Sequence, residues 1–274
     1  MPPAAAPGSA PVSPASGSNP TGQPAVVRQQ PPTAAAQAGA AAGLAERAFA
    51  ATATGAAAGA SAAQSAAKER LQKLLEAVAR QQPKLTWAIG ELEDGTTLLT
   101  TDLAGGWVPP GVEIPTGVKL LPPGSRNKDL EAMLGPTTIT AAYRPGQYLP
   151  PASDSDRVAM SIRARDTVAV EDLGWELSQA TKWRDGLPRL AHTLAKAVAG
   201  KTGLLDSEVE LLRDYLDSIT RLVINKYPDD VIAAQVGNWQ LMATIEALIN
   251  DEKTLANYHF AWFQAQALTR EEQS

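Results

Sequence analysis

LTWAIGELEDGTTLLTT, residues 85–101, decides the fold of the first half of the chain. Large apolar residues occupy every second position from Leu85 to Ile89, which is the pattern of a half-buried strand. Asp94-Gly95 supplies a turn that tolerates positive φ, and the β-branched, apolar run 96–101 can return as a second strand. The sequence therefore predicts a β-hairpin.

A helix and further strands are predicted around this hairpin. Leucines and a valine recur at i, i+3, i+4 and i+7 within residues 62–80, which indicates an amphipathic helix. After the hairpin, the density of prolines in 104–125 predicts a loop without regular strand pairing. A short helix at 129–134 and a strand at 137–143 follow. Residues 62–160 are thus expected to form a small α/β domain with one long helix and three or more strands.

From about residue 168 the hydrophobic period becomes helical. Five amphipathic segments follow one another, and the third begins with Ser207-x-x-Glu210, the spacing of a capping box. Five helices of this length favour a helical bundle over residues 161–270. The predicted fold class is α+β: a small α/β unit followed by an all-α helical bundle.

The residues before the first helix differ in composition. Residues 1–61 are rich in proline, alanine and glycine and contain few charges, so they cannot bury enough apolar surface to offset the entropy of ordering. We expect a disordered Pro/Ala-rich tail. The chain shows neither a secretory signal nor an apolar run long enough to span a bilayer, which predicts a soluble, cytoplasmic protein. Export by a route that needs no N-terminal signal stays open.

The composition argues against several classes of function. The chain has no cysteine, so a disulfide scaffold, a thiolate zinc site and a thiol nucleophile are excluded. Its net charge of −5 does not suit general nucleic-acid binding, which draws most of its affinity from basic side chains. It contains no P-loop, no G-x-G-x-x-G and no G-x-S-x-G motif. We therefore predict a non-catalytic protein without a cofactor, a metal or catalytic residues.

Trp107 is the most suggestive aromatic residue, because it lies in a loop of glycines and prolines. It could fold back and cap the sheet, or a rigid loop could present it to a partner, as aromatic anchors are presented at interface hot spots. In the second case Trp107, Val108 and Pro110 are the expected partner contacts. The aromatic residues of 258–263 leave a similar choice between a helix buried on several sides and a helix with one partner-binding face.

Three short motifs carry a resemblance to a known family: Asp94-Gly95-Thr96-Thr97, Thr101-Asp102-Leu103 and Gly106-Trp107-Val108-Pro109-Pro110. With them, residues 62–270 resemble the C-terminal region of mycobacterial type VII secretion-associated proteins of the EspK kind, which also place a Pro/Ala-rich segment ahead of this region. The resemblance implies a cytosolic chaperone or adaptor whose partner is a helical-hairpin secreted substrate, and it implies no catalytic residues. The Pro-rich segment is much shorter here than in that family, so the same substrate does not follow.

Two other classes of function remain open at this stage. The first is an enzyme with a cryptic site at the junction of the two halves, where Asp102, Glu113, His192 and His259 would have to converge. The second is a self-associating structural protein.

Overall fold

The structure is a computed structural model that describes residues 61–124, 129–152, 158–162, 165–229 and 231–272. The predicted disordered tail therefore lies outside the described residues, apart from its last position. The described residues belong to one structural unit. Within these ranges, no helix is both long enough and apolar enough to cross a bilayer.

The predicted hairpin is confirmed and follows a long helix. Helix α1 spans 61–79, strand β1 spans Trp87–Leu92 and strand β2 spans Thr97–Thr101. The two strands pair antiparallel. At the turn, the backbone N–H of Thr96 donates a 2.8 Å hydrogen bond to the carboxylate of Asp94, which closes the loop locally.

Two further strands complete a four-stranded sheet in the order β4-β2-β1-β5. Strand β4 (Val118–Leu120) pairs parallel with β2, and strand β5 (Thr137–Tyr143) pairs antiparallel with β1. A separate two-stranded ladder joins β3 (Ile114–Pro115) to β6 (Met160–Ser161). The expectation that residues 104–125 form no strand pairing is therefore wrong. Strand β4 lies in the proline-free stretch 116–121, and β3 carries its proline in a two-stranded ladder, where both strands are edge strands and tolerate one.

The helical half contains the five predicted helices: α3 (Leu173–Thr181), α4 (Arg189–Gly200), α5 (Asp206–Lys226), α6 (Ala233–Ile249) and α7 (Lys253–Glu272). A short helix, α2 (Leu130–Met133), precedes β5. The α+β fold class is thus confirmed. The capping box is not formed, because α5 already begins at Asp206 and Ser207 lies inside the helix; its N-cap Leu205 makes no side-chain capping bond.

The core runs without a break from the sheet into the helices. One cluster of buried apolar residues includes Leu71 of α1, Trp87 of β1, Trp239 of α6 and Trp262 of α7. Helix α6 is buried at every position from Val236 to Ile245, so it is the central element of the helical half. Full burial of one such large side chain contributes about 1.5–3 kcal/mol. The division into domains at residue 160 stays a prediction, and the apolar core extends over both sides of it.

Candidate functional site

The loop after β2 turns sharply into the interior of the protein. Its first residue, Asp102, accepts hydrogen bonds from the backbone N–H of Thr86 and the hydroxyl of Thr101, at 3.1 and 3.3 Å. A single 3-10 turn, Leu103–Gly105, follows. Gly106 then adopts φ 124° and ψ 2°, a backbone conformation that residues other than glycine rarely adopt. This turn directs the next residue, Trp107, away from solvent.

Trp107 is fully buried between two helices of the second half. Its ring meets Trp239 of α6 edge-on, with 4.9 Å between centroids and 90° between planes. Its indole N–H donates to Nδ1 of His259 at 3.1 Å. The neighbouring backbone N–H of Val108 donates to the hydroxyl of Tyr258 at 2.9 Å. The loop is therefore anchored on α6 and α7 by ring packing and by two hydrogen bonds.

This placement corrects the expectation of a surface anchor. Trp107 and Val108 are 0% exposed, so neither side chain can touch a partner while the chain holds this conformation. Pro110 is only partly buried. Trp107 folds back into the protein, as the first of the two alternatives predicts. It packs on α6 and α7, however, and does not merely cap the sheet. The aromatic residues of α7 are likewise buried on several sides, since Tyr258, Phe260, Trp262 and Phe263 all lie in the core.

His259 is held neutral at the centre of this cluster. Burial, reinforced by the positive charge of Arg165, shifts the pKa of His259 well below its ordinary value of 6.5. Because Nδ1 accepts the Trp107 bond, the proton of the neutral ring lies on Nε2. Nδ1 of His259 is thus a hydrogen-bond acceptor in the core. Protonation of Nδ1 would place an N–H donor opposite the indole N–H of Trp107, and the hydrogen bond between them would be lost.

We expect this histidine to make the protein sensitive to acid. The folded state has the lower pKa, so the unfolded state binds the proton more readily once the pH falls below about 6.5. The contribution to stability is complete above pH 6.5 and decreases below it, by at most about 1.4 kcal/mol per pH unit. Urea unfolding between pH 5 and 8 measures this slope. His259→Asn, whose amide oxygen can replace Nδ1 as acceptor, should show a shallower slope; equal slopes would contradict the assignment.

Arg165 lies in residues 165–172, which precede α3 and which we call the connector, and it links this segment to the same loop. It is buried, and its Nη2 donates to the carbonyl oxygens of Pro109 and Val112, at 2.8 Å each. Its guanidinium carbon lies 5.6 Å from the centre of the Tyr258 ring, in cation–π geometry. Burial raises the pKa of Tyr258 to about 12, so its hydroxyl stays protonated. Arg165 therefore fixes the connector against the loop and α7.

The four ionisable residues considered for a cryptic enzymatic site have separate surroundings: Asp102, Glu113, His192 and His259. Asp102 binds the hairpin backbone, and Glu113 is exposed. His192 lies with Nδ1 at 3.1 Å from the hydroxyl of Thr181, while His259 lies among aromatic rings. In the described part of the chain, no hydrogen bond or ion pair joins any two of the four, and no group of three or more His, Asp or Glu is arranged for a metal.

The connector also borders an open groove of about 880 Å³, which we call the connector groove. Its walls come from the Pro122-Pro123 pair, from residues 166–171 of the connector, from Glu176 of α3, and from Ala261 and Gln264 of α7. The apolar part includes the prolines, Val168, Val170 and Ala261, and three carboxylates border it: Asp166, Glu171 and Glu176. The lining of the groove therefore combines apolar side chains with three carboxylates.

A second cavity lies next to the connector groove. Val170 lines both, and the second cavity, about 630 Å³, adds Leu173, Val198 and Leu248 as apolar lining. Val168, which stands in the groove wall, is 86% exposed. The open shape and apolar lining of the connector groove suit a helical segment of polypeptide. Sequence reasoning missed it because its walls come from separate segments with no shared local pattern.

Two family models match separate parts of the chain. Residues 65–145 match a family of unknown function (DUF5632), and residues 170–266 match another family of unknown function (DUF5631). The uncharacterized protein Rv2082 of Mycobacterium tuberculosis (strain ATCC 25618 / H37Rv) is 38% identical over 207 residues, which cover 74% of this chain. The chain spans only 29% of the length of that protein.

A solved structure shows the same fold. A fragment of conserved hypothetical protein Rv3899c (residues 184–410) from Mycobacterium tuberculosis is 40% identical, with a TM-score of 0.72. The match covers 76% of this chain and 98% of the fragment. Because the identity is high and nearly the whole fragment is matched, the chain belongs to the same family as this mycobacterial fragment.

Proposed function

We propose that the protein is a non-catalytic adaptor that binds an apolar helical segment of a protein partner in the connector groove. The observation that carries the proposal is the groove itself, which is open, is lined by apolar residues and carboxylates, and has a second cavity beside it. Helical segments that bind such grooves insert apolar residues spaced i, i+3, i+4 and i+7. The partner should therefore be an amphipathic helix.

The three carboxylates in the groove lining suggest the charge of that partner. Asp166 and Glu171 are exposed, and Glu176 is partly exposed beside them. Complementary charges at the border of an interface mainly accelerate association and select partners, while the apolar contacts supply most of the affinity. We therefore expect lysine or arginine residues next to the apolar face of the bound helix, and an association rate that falls as salt is added.

For the partner class, we propose a helical-hairpin secreted substrate of a type VII system, escorted in the cytoplasm. The support is the resemblance of the hairpin and loop motifs to proteins of the EspK kind, together with the mycobacterial origin of the relatives. The Gly106–Pro110 motif has a structural role in this proposal, because Trp107 and Val108 bind α7. These contacts stabilise the fold that forms the groove. Substrate contacts are assigned to the groove.

Val168→Asp tests this proposal in the full-length chain. It places a carboxylate in the apolar wall without disturbing the core, because Val168 is almost fully exposed. We expect at least about a tenfold loss of affinity for a purified helical-hairpin type VII substrate, measured by calorimetry, which corresponds to about 1.4 kcal/mol. Tyr148→Asp is the matched control, since Tyr148 is 83% exposed and does not line the groove.

The outcomes separate the two parts of the proposal. Equal affinity of wild type and Val168→Asp would show that the substrate binds elsewhere and would contradict the groove assignment. Failure of the wild-type chain to bind any helical-hairpin substrate would contradict the secretion adaptor. Glu171→Lys adds a kinetic check, since it should slow association with a basic helix at low salt and have little effect at high salt.

A further inference from the structure

Helix α5 is apolar on two faces. Its inner face, with Leu212, Leu216 and Val223, is buried in the core. A second row on the outside consists of Leu211, Tyr215 and Leu222, whose exposed fractions are 45%, 41% and 40%. Positions four and eleven residues apart lie on the same side of a helix, so the three side chains form one row. We call this row the α5 stripe.

The charges of α5 are divided along its length. Residues 206–217 carry five carboxylates: Asp206, Glu208, Glu210, Asp214 and Asp217. Residues 218–226 carry only basic charged groups, Arg221 and Lys226, while Arg213 forms an ion pair with Glu246 of α6 at 3.4 Å. Within the described part of the chain, neither Asp214 nor Arg221 forms an ion pair. The exposed side of the helix therefore has an acidic half and a basic half.

These two features are complementary to a second copy of the same helix running in the opposite direction. Antiparallel alignment places the acidic half of each α5 over the basic half of the other, whereas parallel alignment would oppose like charges. A two-fold interface uses the same surface on both subunits, so every favourable pair occurs twice. A row of apolar side chains that is exposed on both copies would be buried between them.

We propose that the α5 stripe is the contact of a homodimer in which two α5 helices pack antiparallel about a two-fold axis. In this arrangement Leu211 lies against Leu222 of the second copy, and Tyr215 lies over its Ser218. Asp214 then lies beside Arg221 of the second copy. The stripe shares no residue with the connector groove, so the dimer goes beyond the proposed function and does not depend on it.

Sedimentation equilibrium of the full-length chain tests the dimer. The chain has a mass of 28.7 kDa, and the wild type should approach twice that mass as its concentration is raised. Leu222→Lys should weaken dimerisation at least about tenfold, because it would bury a charge against Leu211 of the second copy. Ile232→Lys is the matched control, since Ile232 is 55% exposed and lies outside α5. Circular dichroism should show both variants folded.

Charge reversal tests the antiparallel orientation. Asp214→Lys and Arg221→Glu should each weaken self-association, because each places like charges side by side twice. An equimolar mixture of the two variants restores both opposite-charge pairs and should again form dimers. A wild type that stays monomeric at every concentration, a Leu222→Lys variant that dimerises like the wild type, or a mixture no more dimeric than its components would overturn the proposal.

Discussion

Replacing Trp107 with alanine is expected to lower the free energy of unfolding by about 3–5 kcal/mol. The indole is fully buried, packs edge-on against Trp239 and donates its N–H to His259. Alanine would leave a large cavity between the loop and two helices, and it would leave the Nδ1 acceptor of His259 without a partner. Because a domain is typically stable by only about 5–15 kcal/mol, this loss is a large fraction of the total.

Two variants separate the causes of that loss. Trp107→Phe keeps an aromatic ring but removes the donor, and leaving the buried Nδ1 of His259 without a partner should cost about 1–3 kcal/mol. Trp175→Ala is the surface control, because Trp175 is 62% exposed and should change stability by no more than about 0.5 kcal/mol. Guanidinium unfolding measures all three. A Trp107→Ala loss as small as that of Trp175→Ala would mean that the loop does not dock on α6 and α7 in solution.

Gly106→Ala is expected to have a comparable effect, roughly 4 kcal/mol, from two sources. Its φ of 124° is strained for alanine, which costs about 1–3 kcal/mol. A Cβ atom would also lie 3.0 Å from the Thr100 hydroxyl oxygen and 3.0 Å from the ring of Trp262. Both neighbours are buried, so relieving this crowding costs about another 1–3 kcal/mol.

Gly111→Ala isolates the backbone contribution. Gly111 also has a positive φ, +80°, but a Cβ atom added there would have no other atom within 4 Å. Only the strain of the left-handed region applies at this position, about 1–2 kcal/mol. Thermal and urea unfolding of both variants should therefore rank Gly106→Ala as clearly less stable. Equal losses would indicate that the turn at Gly106 relaxes away from Trp262 and Thr100.

The local part of the fold was predictable from the sequence. The hairpin follows from alternation at Leu85–Ile89 and from Asp94-Gly95, and the bundle follows from helical periodicity; both signals lie within a few residues. The parallel pairing of β4 with β2 was not predictable, because a three-residue strand carries little pattern of its own. The capping box was predicted wrongly, because the motif Ser207-x-x-Glu210 fits the sequence but the N-cap of α5 is Leu205, two residues before Ser207.

The candidate sites were harder to predict than the fold. A tryptophan between glycines and prolines is equally compatible with a place in the core and with a place at an interface. Its buried position depends on contacts with residues such as His259, which lies 152 residues away in the sequence. The α5 stripe did leave a signal, because leucine and tyrosine occur on the polar side of the periodic pattern in residues 209–223. The buried face of α5 is enough to predict an amphipathic helix, so the periodic pattern does not draw attention to the exposed α5 stripe.

The long sequence separation between Trp107 and His259, which contacts its ring, has a consequence for synthesis of the protein. Translation adds about 5–20 residues per second, so the loop leaves the ribosome roughly 8–30 s before His259, 152 residues later, is available. During that interval the Trp107 side chain of the nascent chain lacks the contacts that α7 provides in the folded protein. The first half of this chain should therefore depend on chaperones at the ribosome until α7 has been made.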